Sequence, residues 1–481
     1  MSAEYDAVVV GAGPNGLVGA VTLAGAGLKV LVVEAATVAG GGSRSEALTR
    51  PGHVHDVCSA IHPLGVASPA LRALPLADHG LEWVHPGAPL AHPLDGSRAA
   101  VLERSVDTTA LGLGDDGAAY LRLMNPLVAA GQGFVDAVLS PLSGPPRRAL
   151  PALARFGMGG LPPVTRLTNN RFVGDQAPAL LAGLAAHSML SLRAPATGGF
   201  GLFLGLLGHL VGWPVARGGS QSIADALVGV LADRGGELVL GERVTSLADL
   251  PPAATTMLDL TPRQLLDLGG DRLPPRYRRQ LGRYRYGAAA WKVDWALDGP
   301  IPWAAAACAR AGTVHVGGTL DEVARSEAEL AKGRPPTRPF VLLAQQSRFD
   351  PTRAPAGEQN AWAYCHVPNG SMFDMTERIE AQVERFAPGF RDRIIARHVM
   401  GPAAIEAHDA NYVGGDICGG RTDLRQVIAR PVLSRSPWRT PAAGLYLCSS
   451  ATPPRPGVHG MGGWHAAHAA LADLGLPLAP D

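Results

Sequence analysis

The stretch from residue 5 to residue 34 constrains the fold of this chain more than any other. It reads YDAVVVGAGPNGLVGAVTLAGAGLKVLVVE. A run of valines predicts a buried strand, a GxGxxG turn follows and opens a helix, and a second valine-rich strand ends at Glu34. Strand, turn, helix, strand and acid in this order are typical of a Rossmann dinucleotide-binding unit. A βαβ unit without a ligand is the less favoured interpretation.

The turn residues have separate physical roles. Gly11 permits the tight turn, Gly13 lets the backbone approach a pyrophosphate, and Gly16 lets helix and strand pack closely. The pyrophosphate then lies at the helix N-terminus, where N–H groups and the helix dipole favour negative charge. Glu34 ends the second strand, at a spacing from the turn where an acid can hydrogen-bond a ribose hydroxyl.

Composition and charge exclude several classes of protein. The chain has 481 residues, of which 47% are hydrophobic and 17% charged, so we expect two or three domains with a large core. The net charge of +1 gives no indication of a nucleic-acid partner. Five cysteines without a CxxC pair argue against a disulfide framework. With no signal-peptide pattern at the N-terminus, we expect a cytoplasmic protein.

A glycine-rich loop, GGGSR, follows the second strand and ends at Arg44. Glycines followed by an arginine suit contact with a phosphate or a ribityl chain. A surface turn with a solvated arginine is the alternative, but the preceding Rossmann pattern favours the binding role.

The next polar segment, HVHDVCSAIH from His53 to His62, raises the question of a metal site. Its spacing matches no common zinc pattern and no second ligand cluster follows. We therefore expect no metal, and we expect this loop to lie along a cofactor or a substrate cavity.

The rest of the chain alternates between segments that we assign to two different domains. HPLDGSRAAVLER predicts a hairpin at the edge of the first domain, and residues 115–213 are mainly helical by pattern, most clearly at 118–138 and 177–192. The α/β pattern returns at 216–262, where Val244 begins a short strand, and residues 263–420 form a separate sheet. We predict one domain from residues 1–110, 214–262 and 425–481, and a second from residues 111–213 and 263–424.

The most apolar run, residues 198–213, is too short to span a bilayer. A buried core helix is the favoured interpretation, and the wall of an apolar cavity or a patch that contacts a membrane surface are the alternatives. Lys292 lies in another apolar segment, AAAWKVDWAL. From the pattern alone, a solvent-facing lysine on an edge strand is favoured, because an interior lysine needs a hydrogen-bond partner or a charged cofactor.

A second glycine-rich approach to a helix lies near the C-terminus, in LYLCSSATPPRPGVHGMGGWHAAHAAL. This predicts another helix N-terminus directed at a polar ligand. A single nicotinamide dinucleotide would not need it, whereas a longer ligand with a second head group would.

These motifs resemble the flavoprotein superfamily of phytoene desaturases, carotenoid isomerases and amine oxidases. The resemblance covers nearly the whole chain and rests on the dinucleotide start, the GGGSR loop, GGSQSIADALVGVLADRGGELVL and LYLCSSATPPRPGVHGMGG. More narrowly, HDVCSAIHPLG, VDWALDGPIPW and NYVGGDICGG are similar to blocks in bacterial relatives of the pyridine nucleotide-disulphide oxidoreductase domain-containing protein 2. The implied fold class is α/β (α+β overall), with a Rossmann-type FAD-binding domain (GR2-like) and a discontinuous substrate domain of mixed sheet plus helices.

The resemblance implies FAD as the cofactor. Glycines of the turn would hold the pyrophosphate, Glu34 the adenosine ribose, Val244 the adenine, and residues 460–463 the ribityl chain and ring. Lys292 resembles the amine-oxidase lysine that holds a water against the flavin N5. The complete implied set of cofactor contacts is Gly11, Gly13, Pro14, Asn15, Gly16, Glu34, Ala35, Gly41, Gly42, Ser43, Arg44, Val244, Gly460, Met461 and Gly462.

The predicted activity is hydride transfer from a C–H bond of an apolar small molecule, such as a polyene, lipid or polyketide, to the flavin. Lys292, His62 and His459 are the candidate catalytic residues, the histidines because imidazole can accept a proton near neutral pH. The aromatic pair of amine oxidases is not evident in the C-terminal block, which disfavours amine oxidation. A redox-neutral flavin-dependent isomerase and a non-catalytic flavoprotein that binds a partner are the alternatives. The sequence assigns neither the electron acceptor (oxygen, a quinone or a protein) nor the oligomeric state.

Overall fold

The computed structural model describes residues 4–141, 149–454 and 456–477. Among these residues the strands, in chain order, are β1 (Ala7–Val10), β2 (Val30–Val33), β3 (Ser45–Glu46), β4 (His55–Asp56), β5 (Trp83–Val84), β6 (Ala88–Leu94), β7 (Arg98–Leu102), β8 (Val215–Ala216), β9 (Glu237–Val239), β10 (Thr255–Leu258), β11 (Ala289–Leu297), β12 (Ala311–Val316), β13 (Val341–Ala344), β14 (Gln359–Val367), β15 (Ile394–Met400) and β16 (Leu445–Leu447).

The α-helices of the same residues are α1 (Pro14–Gly25), α2 (Pro63–Ala67), α3 (Pro69–Arg72), α4 (Val106–Gly112), α5 (Gly117–Val138), α6 (Leu150–Gly160), α7 (Val164–Asn169), α8 (Gln176–Ala186), α9 (Thr197–Leu210), α10 (Gln221–Asp233), α11 (Pro262–Gly269), α12 (Pro275–Leu281), α13 (Leu320–Ala331), α14 (Thr376–Phe386), α15 (Pro402–His408), α16 (Leu424–Ile428) and α17 (Met461–Asp473).

The first sheet has five parallel strands in the order β16-β10-β1-β2-β9. Strands β1 and β2 read AVVV and VLVV, and every residue in them is buried. Continuous apolar strands of this kind need cover on both faces. Helix α1 packs against α10 and α17, so segments from the start, middle and end of the chain build this domain.

A second sheet of seven strands has the order β15-β11-β14-β13-β12-β6-β7 and is antiparallel except between β12 and β6. Alternate residues of β11 face opposite sides. One set, which includes Val293 and Trp295, packs with α14 in a separate core. The other set, which includes Ala290 and Lys292, lines a cavity.

Most predicted elements are present, with four differences. The hairpin of β6 and β7 exists, but it belongs to the seven-stranded sheet and not to the edge of the Rossmann sheet. Val244 lies in an irregular segment and starts no strand. Helix α8 ends at Ala186, before the predicted residue 192. Lys292 is 2% exposed and lies on a strand that is paired on both sides, so the solvent-facing interpretation was wrong.

The apolar run at 198–213 forms α9, which packs against α5, α6, α7 and α8. Phe200, Phe203 and Leu204 of this helix line the cavity, and Leu206 and Leu207 are buried in the core. The run is therefore both a core helix and a cavity wall. No helix among the described residues is long and apolar enough to cross a membrane.

Candidate functional site

The turn between β1 and α1 forms a cradle in which glycine is required. Gly11 has a φ of +100°, which other residues rarely adopt. A Cβ on Gly16 would lie 2.0 Å from the carbonyl oxygen of Gly11. Helix α1 has no side-chain cap at Gly13 and begins with Pro14. The predicted anion site therefore has the tight turn that it needs, at a helix N-terminus whose N-cap residue, Gly13, offers no side-chain cap.

Glu34 lies directly beside this cradle. Its carboxylate accepts the backbone N–H groups of Ala12 at 2.7 Å and Ala36 at 2.8 Å. The segment that contains Val244 follows closely, because the N–H of Glu242 donates to the carbonyl of Glu34 at 2.9 Å. Val244 itself packs against the buried cluster that includes Val33, and Ala35 is exposed.

The GGGSR loop folds onto the same cradle. A Cβ on Gly41 would lie 3.2 Å from the Cα of Gly13, and the Ser43 hydroxyl donates to the carbonyl of Gly40 at 2.8 Å. The buried Arg44 donates to the carbonyls of Gly41 and His408. The arginine is thus an ordered cation near the predicted phosphates, and the solvated-arginine alternative does not apply.

Helix α17 completes the cradle from the C-terminal end of the chain. A Cβ on Gly463 would lie 1.7 Å from the backbone oxygen of Asn15, so α1 and α17 are in backbone contact. The N–H of Gly462 donates to Oδ1 of Asn15 at 3.2 Å. Gly460, which precedes α17, has a φ of +67°. The two predicted helix N-termini therefore lie side by side.

Two buried acids that the sequence interpretation missed also border the cradle. Asp259 follows β10, accepts the N–H of Gly16 at 3.0 Å, and has its pKa raised to about 8 by burial. Burial also raises the pKa of Asp409, whose Oδ2 is 3.4 Å from a Cβ built on Gly41. With a pKa of about 8, Asp259 is mostly protonated at neutral pH and does not repel a pyrophosphate, so the cradle fits a dinucleotide. The position of Asp259 at the carboxyl end of a parallel strand was the signal available in the sequence.

A cavity of about 500 Å³ adjoins the cradle. Pro14, Asn15 and Gly42 belong to both. Its wall is mostly apolar and includes side chains from α6, α9 and the seven-stranded sheet. The three predicted catalytic residues, Lys292, His62 and His459, all line this cavity. The structure therefore brings together side chains that are far apart in sequence.

Lys292 belongs to a buried charged cluster. Its Nζ forms an ion pair with Asp294, two residues along the same strand face. Nδ1 of His55 and Nδ1 of His398 each lie 3.5 Å from the Asp294 carboxylate. Burial lowers the pKa of His55 to about 4, so this imidazole is neutral near neutral pH and Lys292 is the ion-pair partner of Asp294. Asp294 was missed from the sequence, although its i+2 spacing on a strand places it on the same face.

The two candidate catalytic histidines, His62 and His459, differ in their hydrogen-bond partners. Nε2 of His62 lies 2.8 Å from the Ser220 hydroxyl, and burial lowers the pKa of His62 to about 4. His459 accepts the N–H of Met461 at Nδ1, at 3.0 Å, and its carbonyl accepts the Ser68 hydroxyl at 2.6 Å. Both imidazoles are thus fixed by hydrogen bonds at the cavity wall.

The polar loop at 53–62 holds no metal cluster. Across the described parts of the chain, no group of three or more His, Cys, Asp or Glu side chains is placed to bind a metal ion. His53 pairs with Glu358 at 2.7 Å and Asp56 pairs with Arg353 at 3.1 Å. Burial raises the pKa of Cys58 to about 12, which disfavours the reactive thiolate.

Comparisons with known proteins agree with this architecture. The family described as "NAD(P)-binding Rossmann-like domain" matches residues 9–74. The pyridine nucleotide-disulfide oxidoreductase domain-containing protein 2 of Mus musculus is 27% identical, over 98% of this chain and 94% of its own length. The resemblance stated from the sequence is therefore confirmed, and the predicted oxidoreductase class is supported.

Solved structures show the fold. Putrescine oxidase bound to putrescine superimposes with a TM-score of 0.64 at 18% identity, over 98% of each chain. Cyclohexylamine oxidase from Brevibacterium oxydans gives a TM-score of 0.59 at 15% identity, over 97% of this chain and 98% of that one. The chain thus has an amine oxidase-like fold with a Rossmann-like dinucleotide-binding domain, and the predicted fold class is confirmed.

Proposed function

We propose that the chain is an FAD-dependent oxidoreductase that removes hydride from a C–H bond of an apolar small molecule. The observation that carries this proposal is the position of Lys292, a buried cation in the wall of an apolar cavity that adjoins the dinucleotide cradle. The full-length relatives named as oxidoreductases and the oxidase-like fold support the same conclusion.

The residues around the cradle would hold FAD, which supplies the hydride acceptor of the reaction. Gly11, Gly13 and Gly16 with the N-terminus of α1 would bind the pyrophosphate, and Glu34 the ribose. Residues 460–462 at the N-terminus of α17 would approach the other half of the cofactor. These contacts require a backbone close to the ligand, which explains the glycines at both helix starts.

Lys292 would orient the reacting end of the substrate or an ordered water. The ion pair with Asp294 holds the Lys292 side chain in the cavity wall. The apolar wall excludes bulk water and strengthens the electrostatic effect of this single charge. His62 would accept a hydrogen bond from the substrate, and His459, whose Nδ1 already accepts the Met461 N–H, would present its Nε2 side to the substrate.

One experiment without a substrate tests the proposal. The purified protein is examined for flavin absorption, reduced by light without oxygen, and then exposed to air. Absence of flavin bands even after addition of FAD would refute the proposal and favour a non-catalytic role. Fast reoxidation would indicate an oxidase that uses oxygen, and slow reoxidation a dehydrogenase with another acceptor or an isomerase that keeps its flavin reduced.

A further inference from the structure

The cavity has a polar region of which the proposed hydride transfer uses only one residue, His62. His62, His187 and Thr313 line the cavity, and we call these three residues the polar end. Nε2 of His187 lies 3.0 Å from Nε2 of His315, two residues after Thr313 on β12. Both imidazoles contact the ring of Trp213, and the backbone N–H of His62 donates to the carbonyl of the adjacent Pro214 at 2.9 Å.

Two polar atoms of the polar end have no hydrogen-bond partner. They are Nδ1 of His62 and Oγ1 of Thr313, on residues that are 1% and 0% exposed. A buried polar atom without a partner costs about 1–3 kcal/mol. Such atoms are uncommon in folded proteins and often mark the place of a ligand or an ordered water.

The surrounding hydrogen bonds fix the tautomer of His62. The Ser220 hydroxyl donates its one hydrogen to the carbonyl of Ser59 at 2.7 Å. The same oxygen lies 2.8 Å from Nε2 of His62, so it must accept a hydrogen from that nitrogen. In a neutral imidazole the other nitrogen then has no hydrogen, and Nδ1 of His62 is an acceptor.

The polar end carries no net charge near neutral pH. Burial lowers the pKa of His62 to about 4 and that of His187 to about 3. Among the described residues that line the cavity, Lys292 is the one charged side chain, and Asp294 already neutralises it. A carboxylate or an ammonium group would therefore be buried without a partner, which is costly.

We propose that the polar end binds a neutral hydroxyl group of an otherwise apolar substrate. The hydroxyl would donate to Nδ1 of His62 and accept from the Oγ1–H of Thr313, so that one group satisfies both atoms. A ketone or ether cannot donate to His62, and a carboxylate brings a charge. The inference names the substrate class of the proposed function and rests on it in taking this cavity as the substrate site.

Binding of naphthalene derivatives to the purified flavin-bound protein tests the inference without turnover. The affinity of 2-naphthol is measured from its own fluorescence, and those of naphthalene, 2-naphthoate and 2-naphthylmethylammonium by displacement. We expect 2-naphthol to bind at least tenfold more tightly than each of the others. Equal affinities of naphthol and naphthalene, or tighter binding of a charged probe, would overturn the inference.

Two apolar substitutions at the polar end locate the effect. Thr313→Val should weaken naphthol binding about tenfold and leave naphthalene unchanged, and His62→Phe should also remove the preference. Thr255→Val is the matched control, since Thr255 has an equally buried, unpartnered hydroxyl in the Rossmann sheet and does not line the cavity. An unchanged preference in Thr313→Val would overturn the inference. Because the flavin spectrum is recorded on the same samples, loss of the cofactor is distinguished from loss of hydroxyl selectivity.

Discussion

Replacement of Asp259 by Asn probes the acid at the cradle. Asp259 is fully buried beside α1 and its pKa is raised from 3.8 to about 8 in the folded protein, mainly by burial. Between these two pH values the folded state keeps a proton that the unfolded state has lost. The free energy of unfolding of the wild type must therefore fall as pH rises through this window. Asn cannot ionise and nearly matches the shape of the carboxyl group.

The size of the effect follows from the proton count. One proton bound only in the folded state changes the free energy of unfolding by about 1.4 kcal/mol per pH unit. Between pH 5 and 7, which lie well inside the window, Asp259→Asn should gain about 3 kcal/mol relative to the wild type. At about 2.1 cal/mol/K per residue, a chain of 481 residues shifts its melting temperature by about 1 °C per kcal/mol.

The assay is thermal unfolding of the flavin-free protein at pH 5, 6 and 7. The melting temperature of Asp259→Asn minus that of the wild type should grow by about 3 °C over this range. The difference cancels the titration of histidines, which both proteins share. Asp225→Asn, at an exposed helix position, should show a constant difference. A constant difference for Asp259→Asn would refute the inference that this acid is neutral in the folded state.

Three other substitutions test the cavity, the contact between α1 and α17, and a buried ion pair. Lys292→Met should keep flavin bound but slow reoxidation by air at least tenfold, whereas Lys332→Met, on the surface, should match the wild type. Equal rates would show that Lys292 takes no part in the reaction of the reduced flavin with oxygen. Gly463→Ala should lower the free energy of unfolding by about 3 kcal/mol or more and weaken FAD binding, which is measured by flavin fluorescence. Gly133→Ala is the control, because a Cβ there meets no atom within 4 Å, and it should change the free energy of unfolding by less than about 1 kcal/mol. Arg353→Met should cost about 3–5 kcal/mol in chemical unfolding, because it removes the buried cation that pairs with both Asp56 and Asp350; a loss below about 1 kcal/mol would contradict this.

The dinucleotide cradle could be predicted because its signals are local. Gly11, Gly13, Gly16 and Glu34 act within one βαβ unit, so their spacing determines their geometry. The start of α17 was also recognisable, since a glycine-rich approach to a helix is again a local pattern.

Features that depend on pairing between strands far apart in the sequence could not be predicted from local patterns. The exposure of Lys292 depends on whether β11 is an edge strand, and that is decided by pairing with β14 and β15, which come much later in the chain. The hairpin of β6 and β7 was recognised, but its sheet was decided by β12, on the far side of the helical segment. The raised pKa of Asp259 depends on its burial against the turn between β1 and α1, which lies more than 200 residues earlier in the chain.

The backbone contact between α1 and α17 has a consequence for synthesis of the protein. The ribosome makes Gly16 near the start and Gly463 near the end, so the two halves of the cradle exist together only when translation is almost complete. Strand β16, which closes the Rossmann sheet, is equally late. The edge of β10 that pairs with β16 therefore has no partner until synthesis of the chain is almost complete, and any chain that stops before α17 lacks the second helix N-terminus of the cradle.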